Sequence, residues 1–449
     1  MSVVDYCQRA DSAPFDMLEP LQAARQPKTG RQSVRPDSMR IIYLHQYFNT
    51  PAMPGSTRSF ELGRRLVANG HTVEMVTSWR EPKPAEAPIE TDEAGIRVHW
   101  LPVRYSNYMG YFSRLRAFAE FAIAASRLAT RLRGDVIYAS STPLTIGIPA
   151  VVAARRQHIP MVFEVRDLWP ELPIAMGVLK NPALRWLARR LERFCYGNAS
   201  HIVALSPGMA EGIARAGYSA ERISIVPNSA DLDLLYRDEA AGRAFRDRLG
   251  IASNKIVVGY AGTLGQINGV GYLVKLAAAL QSDDRFAFVI VGDGKERSTV
   301  EALARELGLH SRSVKFVPTL PKSEMRAVFS GIDIATSLFI PLKEMEANSA
   351  NKLFDAMAAG CCVAINYGGW QEQLLAGAGA GFRLPADPET AAAFLREYAD
   401  NRSRIDKAGQ NARRLAETRF SRDEMAAKVE AVLLEAVSPG SRPVPGRMP

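Results

Sequence analysis

From Ser349 to Ile365 the chain reads SANKLFDAMAAGCCVAI. The pattern is a short polar loop, an amphipathic helix start, a glycine stop at Gly360 and a buried strand. Asn351, Lys352 and Leu353 stand where loop becomes helix, and Asp355 follows one turn later. The first turn of a helix exposes backbone N–H groups and carries a partial positive charge, which suits a phosphate. Lys352 adds a full charge, and a carboxylate three residues on can accept hydrogen bonds from a ribose diol. An ordinary helix–glycine–strand corner has the same letters, so the rest of the chain must decide.

Three further stretches bear on that decision. In HQYFNTPAMPGSTRSF, from His45, Gly55 opens a Gly-Ser-Thr run just ahead of a helix. Parallel strands end in such loops, and a glycine there lets a diphosphate approach closely; a plain turn is the alternative. In FEVRDLWPELP, from Phe163, a buried strand ends on Arg166 and Asp167. Charged residues at the carboxyl end of a parallel strand face the ligand crevice. Asp167 could take a hydroxyl proton and Arg166 hold a phosphate, or the two could form an ion pair that orders the loop. In YAGTLGQINGVGYL, from Tyr260, a glycine-rich loop carries Thr263, Gly265 and Asn268 after another strand.

The elements that position these residues alternate. RIIYLHQYF, HTVEMVTSW, IRVHWLPV, DVIYAS, PMVFEV, HIVALS and RISIVPN read as strands, several almost continuously apolar. Such runs between helices indicate a parallel sheet covered on both faces. A second series follows: KIVVGYAG, FAFVIVGDG, VKFVPT, IDIATSLF and CCVAIN as strands, with helices including GVGYLVKLAAAL and KSEMRAVFSGI. The expected organisation is a disordered extension over 1–38 and a first Rossmann-like domain over 39–228. A second such domain spans 229–419, followed by an amphipathic helix over 420–437 and a disordered tail over 438–449. Ser421 is the expected N-cap of that last helix, with Glu424 at N3.

With 449 residues, 47% hydrophobic and 23% charged, the chain has room for two cores. No apolar run is long enough to span a membrane, and the start MSVVDYCQRADSAP lacks the basic and apolar regions of a secretory signal. Four cysteines without a paired framework point to a reducing compartment. The expected location is cytoplasmic. The net charge of +9 suits phosphorylated substrates, an anionic membrane surface or nucleic acid. Neither zinc-ligand spacing nor an RNA-binding aromatic pattern accompanies it, so no nucleic acid partner is expected. Aromatic and arginine residues share the helical stretches from Tyr111 and Ala183, which suits an interfacial helix or a sheet-covering helix with a solvated basic face.

Taken together, the Lys352–Gly360 segment, GHTV at Gly70, RDLWPE at Arg166, the PNSADLD connection from Pro227 and VGDG at Val291 resemble retaining glycosyltransferases of family 4. The RDLWPE form is similar to a bacterial polysaccharide branch acting on N-acetylated amino sugars. The resemblance implies a GT-B fold, α/β with two doubly wound domains facing across a cleft and a C-terminal helix crossing back to the first. It implies transfer of a sugar, with retention, from a UDP-N-acetylamino sugar or similar donor to a hydroxyl of a glycan or undecaprenyl-linked saccharide, in surface polysaccharide biosynthesis. Peripheral association with anionic inner-membrane lipids is an implied partner, and neither metal nor cofactor is expected. Catalytic roles fall to Asp167, Arg166 and Lys352. Donor binding falls to Gly55, Thr263, Gly265, Asn268, Asn351, Lys352, Leu353 and Asp355, with the backbone at Pro318 and Leu320 receiving the base. The chain departs from the family pattern at three positions. Thr263 and Asn268 stand where an arginine and a lysine are usual, and Ala347 replaces the first acidic residue. Two other readings stay open: a GT-B UDP-sugar 2-epimerase, and a catalytically degenerate homologue that binds a partner.

Overall fold

The computed structural model describes residues 38–53, 55–79, 89–103 and 109–438. The expected extension and tail, but for Ser38 and Ser438, lie outside them. Two compact units emerge: one from the described residues up to Pro227 together with Asp423 onward, the other from Asn228–Arg422.

The N-terminal unit is built on β1 (Arg40–Leu44), α1 (Arg58–Ala68), β2 (Thr72–Ser78), β3 (Ile89–Glu93), β4 (Ile96–Leu101), α2 (Tyr111–Arg131) and β5 (Val136–Ser140). There follow α3 (Gly147–Gln157), β6 (Met161–Val165), α4 (Glu171–Ala175), α5 (Pro182–Asn198), β7 (His201–Ala204), α6 (Pro207–Arg215) and β8 (Ile223–Ile225). The sheet order is β3-β4-β2-β1-β5-β6-β7-β8, parallel except where β3 pairs antiparallel with β4. Apolar runs bury both faces of the central strands, as the sequence led us to expect. The edge strand β3 was not foreseen: IETDE carries one apolar residue. A tight turn with Ala94 and Gly95 at φ +57° and +83° folds it onto β4.

The second unit contains α7 (Glu239–Arg248), β9 (Ile256–Ala261), α8 (Gly271–Ala279), β10 (Phe286–Val291), α9 (Arg297–Glu306), β11 (Val314–Val317), α10 (Met325–Ser330) and β12 (Ile334–Ser337). It continues with α11 (Asn351–Ala358), β13 (Cys362–Ile365), α12 (Trp370–Ala378), β14 (Gly381–Arg383), α13 (Pro388–Ala399) and α14 (Arg402–Arg419). Its sheet is wholly parallel, in the order β11-β10-β9-β12-β13-β14. The stretch KSEMRAVFSGI, expected as one helix, begins with a 3-10 turn (Lys322–Glu324) after Pro321. Cys361 and Cys362 are packed in this core, and burial pushes both thiols up to about 12.

The last helix, α15 (Arg422–Val437), starts one residue after Ser421 and returns to the N-terminal unit. Met425, Val429 and Leu433 enter the core that contains Val73, Met75 and Val98. Each such side chain contributes roughly 1.5–3 kcal/mol when fully buried. Polar ties flank this apolar seam. His71 Nε2 meets Glu430 at 2.9 Å, and Arg65 donates to Asp423 at 2.6 Å. His71 also accepts the Met39 N–H, so GHTV serves the packing of this unit.

Candidate active site

In the second unit, β9 ends at Ala261 and the chain turns through Gly262–Gly265 into a 3-10 turn, Gln266–Asn268. Two loop N–H groups are spent internally: Gly262 donates to Val291 O at 3.0 Å and Leu264 to Asp293 O at 2.9 Å. Gly292 and Gly294 lie so close to the Gly262 and Leu264 carbonyls that a Cβ on either would collide with backbone. Their φ values of +134° and +154° also belong to glycine. VGDG is therefore the buttress of the glycine-rich loop. Among the described residues no acceptor takes the N–H of Thr263 or of Gly265.

Lys352, second residue of α11, reaches this loop. Its Nζ donates to Asn268 Oδ1 at 2.6 Å and to Tyr260 OH at 3.2 Å. The Tyr260 hydroxyl donates onward to Thr263 O at 2.8 Å. The ammonium also sits 4.9 Å from the Tyr260 ring centroid and 4.8 Å from that of Phe339. Phe339 is pinned by two 2.9 Å bonds between its backbone and the Asn366 amide. An ammonium has three donors, and two are used. Burial pushes Lys352 down to about 7. Asn268 thus holds the lysine, whereas Thr263 contributes its carbonyl to the same chain of bonds.

The other expected donor residues are placed as follows. Asn351 is exposed at the first position of α11. Leu353 is in the core, and its N–H goes to Ala350 O at 3.1 Å. Asp355 lies one turn on, among Asp231, Lys322 and Arg422. Burial raises its carboxyl, Lys322 and Arg422 oppose that, and Asp231 adds to it. Asp231 itself is fixed by Lys322 at 2.9 Å and Arg422 at 3.2 Å. Pro318 is exposed and Leu320 half-buried in the loop after β11. Gly55 belongs to the other unit, at φ +125°, where a Cβ would strike the Asn49 amide.

The N-terminal unit gathers its own polar cluster at the carboxyl ends of β1, β5 and β6. The expected strand RIIYLHQYF ends at Leu44, ahead of a turn at Gln46 and Tyr47. His45, buried, takes a hydrogen bond at Nε2 from Arg166 Nη1 at 3.2 Å. Arginine only donates, so the proton of His45 is on Nδ1, 2.5 Å from Ser59 Oγ. Arg166 Nη2 donates to Ser56 Oγ at 3.3 Å, next to Gly55. Asp167 accepts from Thr142 Oγ1 at 2.9 Å. Burial raises its carboxyl, while Thr142 and Arg166 pull the other way. No ion pair joins Arg166 to Asp167 among the described residues, so each side chain faces its own partners.

Beneath this cluster lies a support that the sequence reading missed. Glu164 Oε1 receives Arg58 Nη2 at 2.8 Å and Tyr138 OH at 2.9 Å, and Oε2 receives Ser140 Oγ at 2.5 Å. Desolvation opposes the charge, but Arg58, Arg166 and the Ser140 bond outweigh it and hold the carboxyl at about 2. Arg58 also donates to Pro227 O at 2.6 Å and Val226 O at 3.0 Å. The signal was a glutamate inside the apolar run MVFEV. Among the described residues, no group of three or more His, Cys, Asp or Glu side chains is placed to hold a metal ion.

Comparison with known proteins fits these two halves. Residues 55–229 match the glycosyl transferase 4-like domain, and residues 243–415 match the glycosyl transferases group 1 domain. A putative colanic acid biosynthesis glycosyl transferase, WcaI of Escherichia coli K12, is 23% identical over 58% of this chain and 66% of its own. The 2-deoxystreptamine glucosyltransferase of Streptomyces kanamyceticus is 31% identical over 40% of this chain and 45% of its own. The chain thus spans between under half and about two thirds of these relatives' length. Anabaena HepE, solved with UDP-glucose, superposes with a TM-score of 0.65 at 18% identity, over 88% of this chain and 99% of that one. Two Rossmann-like units, and two successive domain matches that together cover more than half of the sequence, place this chain among the GT-B glycosyltransferases, with a 4-like domain followed by a group 1 domain.

Proposed function

We propose that this chain transfers a sugar from a nucleotide diphosphate sugar to a hydroxyl of a glycan or lipid-linked saccharide, in surface polysaccharide biosynthesis. One observation carries the reading: the Lys352 ammonium is held at the glycine-rich loop with one N–H in reserve. That N–H, the first turn of α11 and the loop N–H groups of Thr263 and Gly265 would receive the diphosphate. A Lys352 pushed to about 7 takes up a proton as the dianion arrives. Asp355 would accept the ribose hydroxyls, and the loop at Pro318 and Leu320 the base. HepE, of the same fold, is solved with UDP-glucose, which supports a UDP-sugar here; RDLWPE supports an N-acetylamino sugar.

In the reaction the bond from the anomeric carbon to the phosphate oxygen breaks, and its electron pair leaves with the diphosphate. The acceptor oxygen bonds to that carbon, and its proton passes to a base. Asp167, raised by burial, is suited to that proton; a leaving phosphate oxygen on the same face of the sugar is the other candidate and implies retention. Arg166, held by His45, would orient the anionic groups of the substrates. The test is incubation with a panel of UDP-sugars and a lipid-linked saccharide acceptor, with the anomeric coupling of the product read by NMR. An axial product from an axial donor supports the reading. Release of a 2-epimer from donor alone would replace it with the epimerase.

A further inference from the structure

Two carboxylates and two cations gather beside α11, and the mechanism above uses one of the four. Asp231 Oδ2 is shared by Lys322 Nζ at 2.9 Å and Arg422 Nη2 at 3.2 Å. The Asp355 carboxylate feels the charge of all three. Among the described residues, however, no donor makes a hydrogen bond to it.

Separate chain segments bring these groups together. The Ala230 N–H donates to Phe420 O at 2.8 Å, and Ala230 forms a β-bridge with Ser421. Their neighbours Asp231 and Arg422 are thereby set side by side. Phe354 packs edge-on against Phe420, with ring centroids 5.2 Å apart, so α11 and Asp355 come to the same place. Lys322 opens the 3-10 turn after Pro321, directly beyond the loop of Pro318 and Leu320. Asp231 is buried, whereas Asp233 of the same DLD run is exposed.

A carboxylate that accepts two hydroxyls must be ionised and must have its lone pairs open. Burial works against the first requirement: it raises Asp355, and the charge of Asp231 adds to the rise. Lys322 and Arg422 lower it again. The same two cations threaten the second requirement, because a lysine or arginine beside a free carboxylate bonds to it directly. Asp231 takes both of them on one oxygen. Asp355 is thus left with their field and without their hydrogen bonds.

We propose that Asp231, Lys322 and Arg422 are positioning residues that present Asp355 as an ionised, unoccupied acceptor for a cis-diol, so that the site selects a ribonucleotide over its 2′-deoxy form. This rests on Asp355 as the ribose ligand in the reading above. It adds why that carboxylate, and not Asp231, is open to a sugar: Asp231 is already filled by cations.

Calorimetry on the full chain, with UDP and with 2′-deoxy-UDP, tests it. One hydrogen bond to a charged group fewer should weaken the deoxy form about tenfold or more relative to UDP in the wild type. K322M and D231N should both lose that preference while holding the deoxy form nearly as well as the wild type does. In K322M the carboxyl of Asp355 rises further, and in D231N the released cations turn onto Asp355 and fill its lone pairs. A merely structural role would weaken both nucleotides alike. K322M should also lose UDP affinity on acidification at a higher pH than the wild type, because one of the two cations that lower Asp355 is gone. K322R keeps the cation and should keep the preference. An undiminished preference in K322M or in D231N overturns the proposal. D355N separates it from the reading beneath: a preference that survives D355N, or a wild type without preference or without UDP binding, removes the ribose assignment and this proposal together. Loss in D355N with no loss in K322M or D231N overturns the positioning role alone.

Discussion

Lys352 Nζ lies 2.6 Å from Asn268 Oδ1, and this bond joins the first turn of α11 to the glycine-rich loop after β9. The family resemblance implies a second cation at position 268. Here an amide fills that place and orients the cation already present. Hydrogen bonds to charged groups contribute roughly 1.5–3 kcal/mol, so N268A should weaken UDP binding about tenfold or more in calorimetry. N268K would set two ammonium groups side by side. It should destabilise the free protein and recover stability when UDP is added, visible as a larger thermal shift than wild type.

The depressed Lys352 gives a pH signature with opposite signs in two measurements. Its folded value of about 7 lies below the ordinary 10.5. Between these values the unfolded chain binds more protons than the folded one, so this group makes stability rise with pH from about 7 to about 10.5. UDP affinity should move the other way. The dianion requires the charged lysine, so affinity falls as pH rises above about 7, by up to about tenfold per unit. Proton uptake on binding, read from calorimetry in buffers of different ionisation enthalpy, checks this. UDP binding that neither takes up protons nor weakens above pH 7 would contradict it.

Glu164 and Arg58 form a buried pair whose members are unequal to lose together and alone. E164Q leaves Arg58 buried without its counter-charge and should cost about 3–5 kcal/mol in urea unfolding. R58M/E164L should cost less than the two single substitutions summed. Because Glu164 is held at about 2 against an ordinary 4.5, its contribution is complete above about 4.5 and disappears as pH falls toward 2. The urea unfolding midpoint of E164Q should accordingly depend less on pH in that window.

Much of the architecture was legible because parallel strands buried on both faces leave near-continuous apolar runs, as in IVVGYA and FAFVIV. The edge strand IETDE was not, since an edge strand of a hairpin needs no second apolar face. The site was legible in part. Lys352, Arg166 and Asp167 drew attention because each is a charge at the junction between an apolar element and a loop, although a helix corner or a loop-ordering ion pair would read the same way. Tyr260 and Phe339 were invisible, because an aromatic residue at a strand end reads as core until a cation is found against its ring. Asn268 read as a missing lysine, because sequence gives the residue type and not the partner that the fold places opposite it.

Thr142 and Asp167 offer a test of the acceptor side. T142V removes the 2.9 Å bond that favours the ionised carboxylate, so the acid limb of kcat/KM should move to higher pH with its plateau kept. D167N should lower kcat by about 10²–10⁴-fold if the carboxylate takes the acceptor proton. Unchanged turnover in D167N assigns that proton to the leaving phosphate.

Thermal unfolding with and without UDP, in wild type and K352M, tests the central claim most directly. At about 100 times its dissociation constant UDP should stabilise the wild type by roughly 2.7 kcal/mol. K352M, folded by circular dichroism, should show little or none of that shift at the same concentration. Equal stabilisation of both proteins would contradict the assignment of Lys352 as the cation of the donor site.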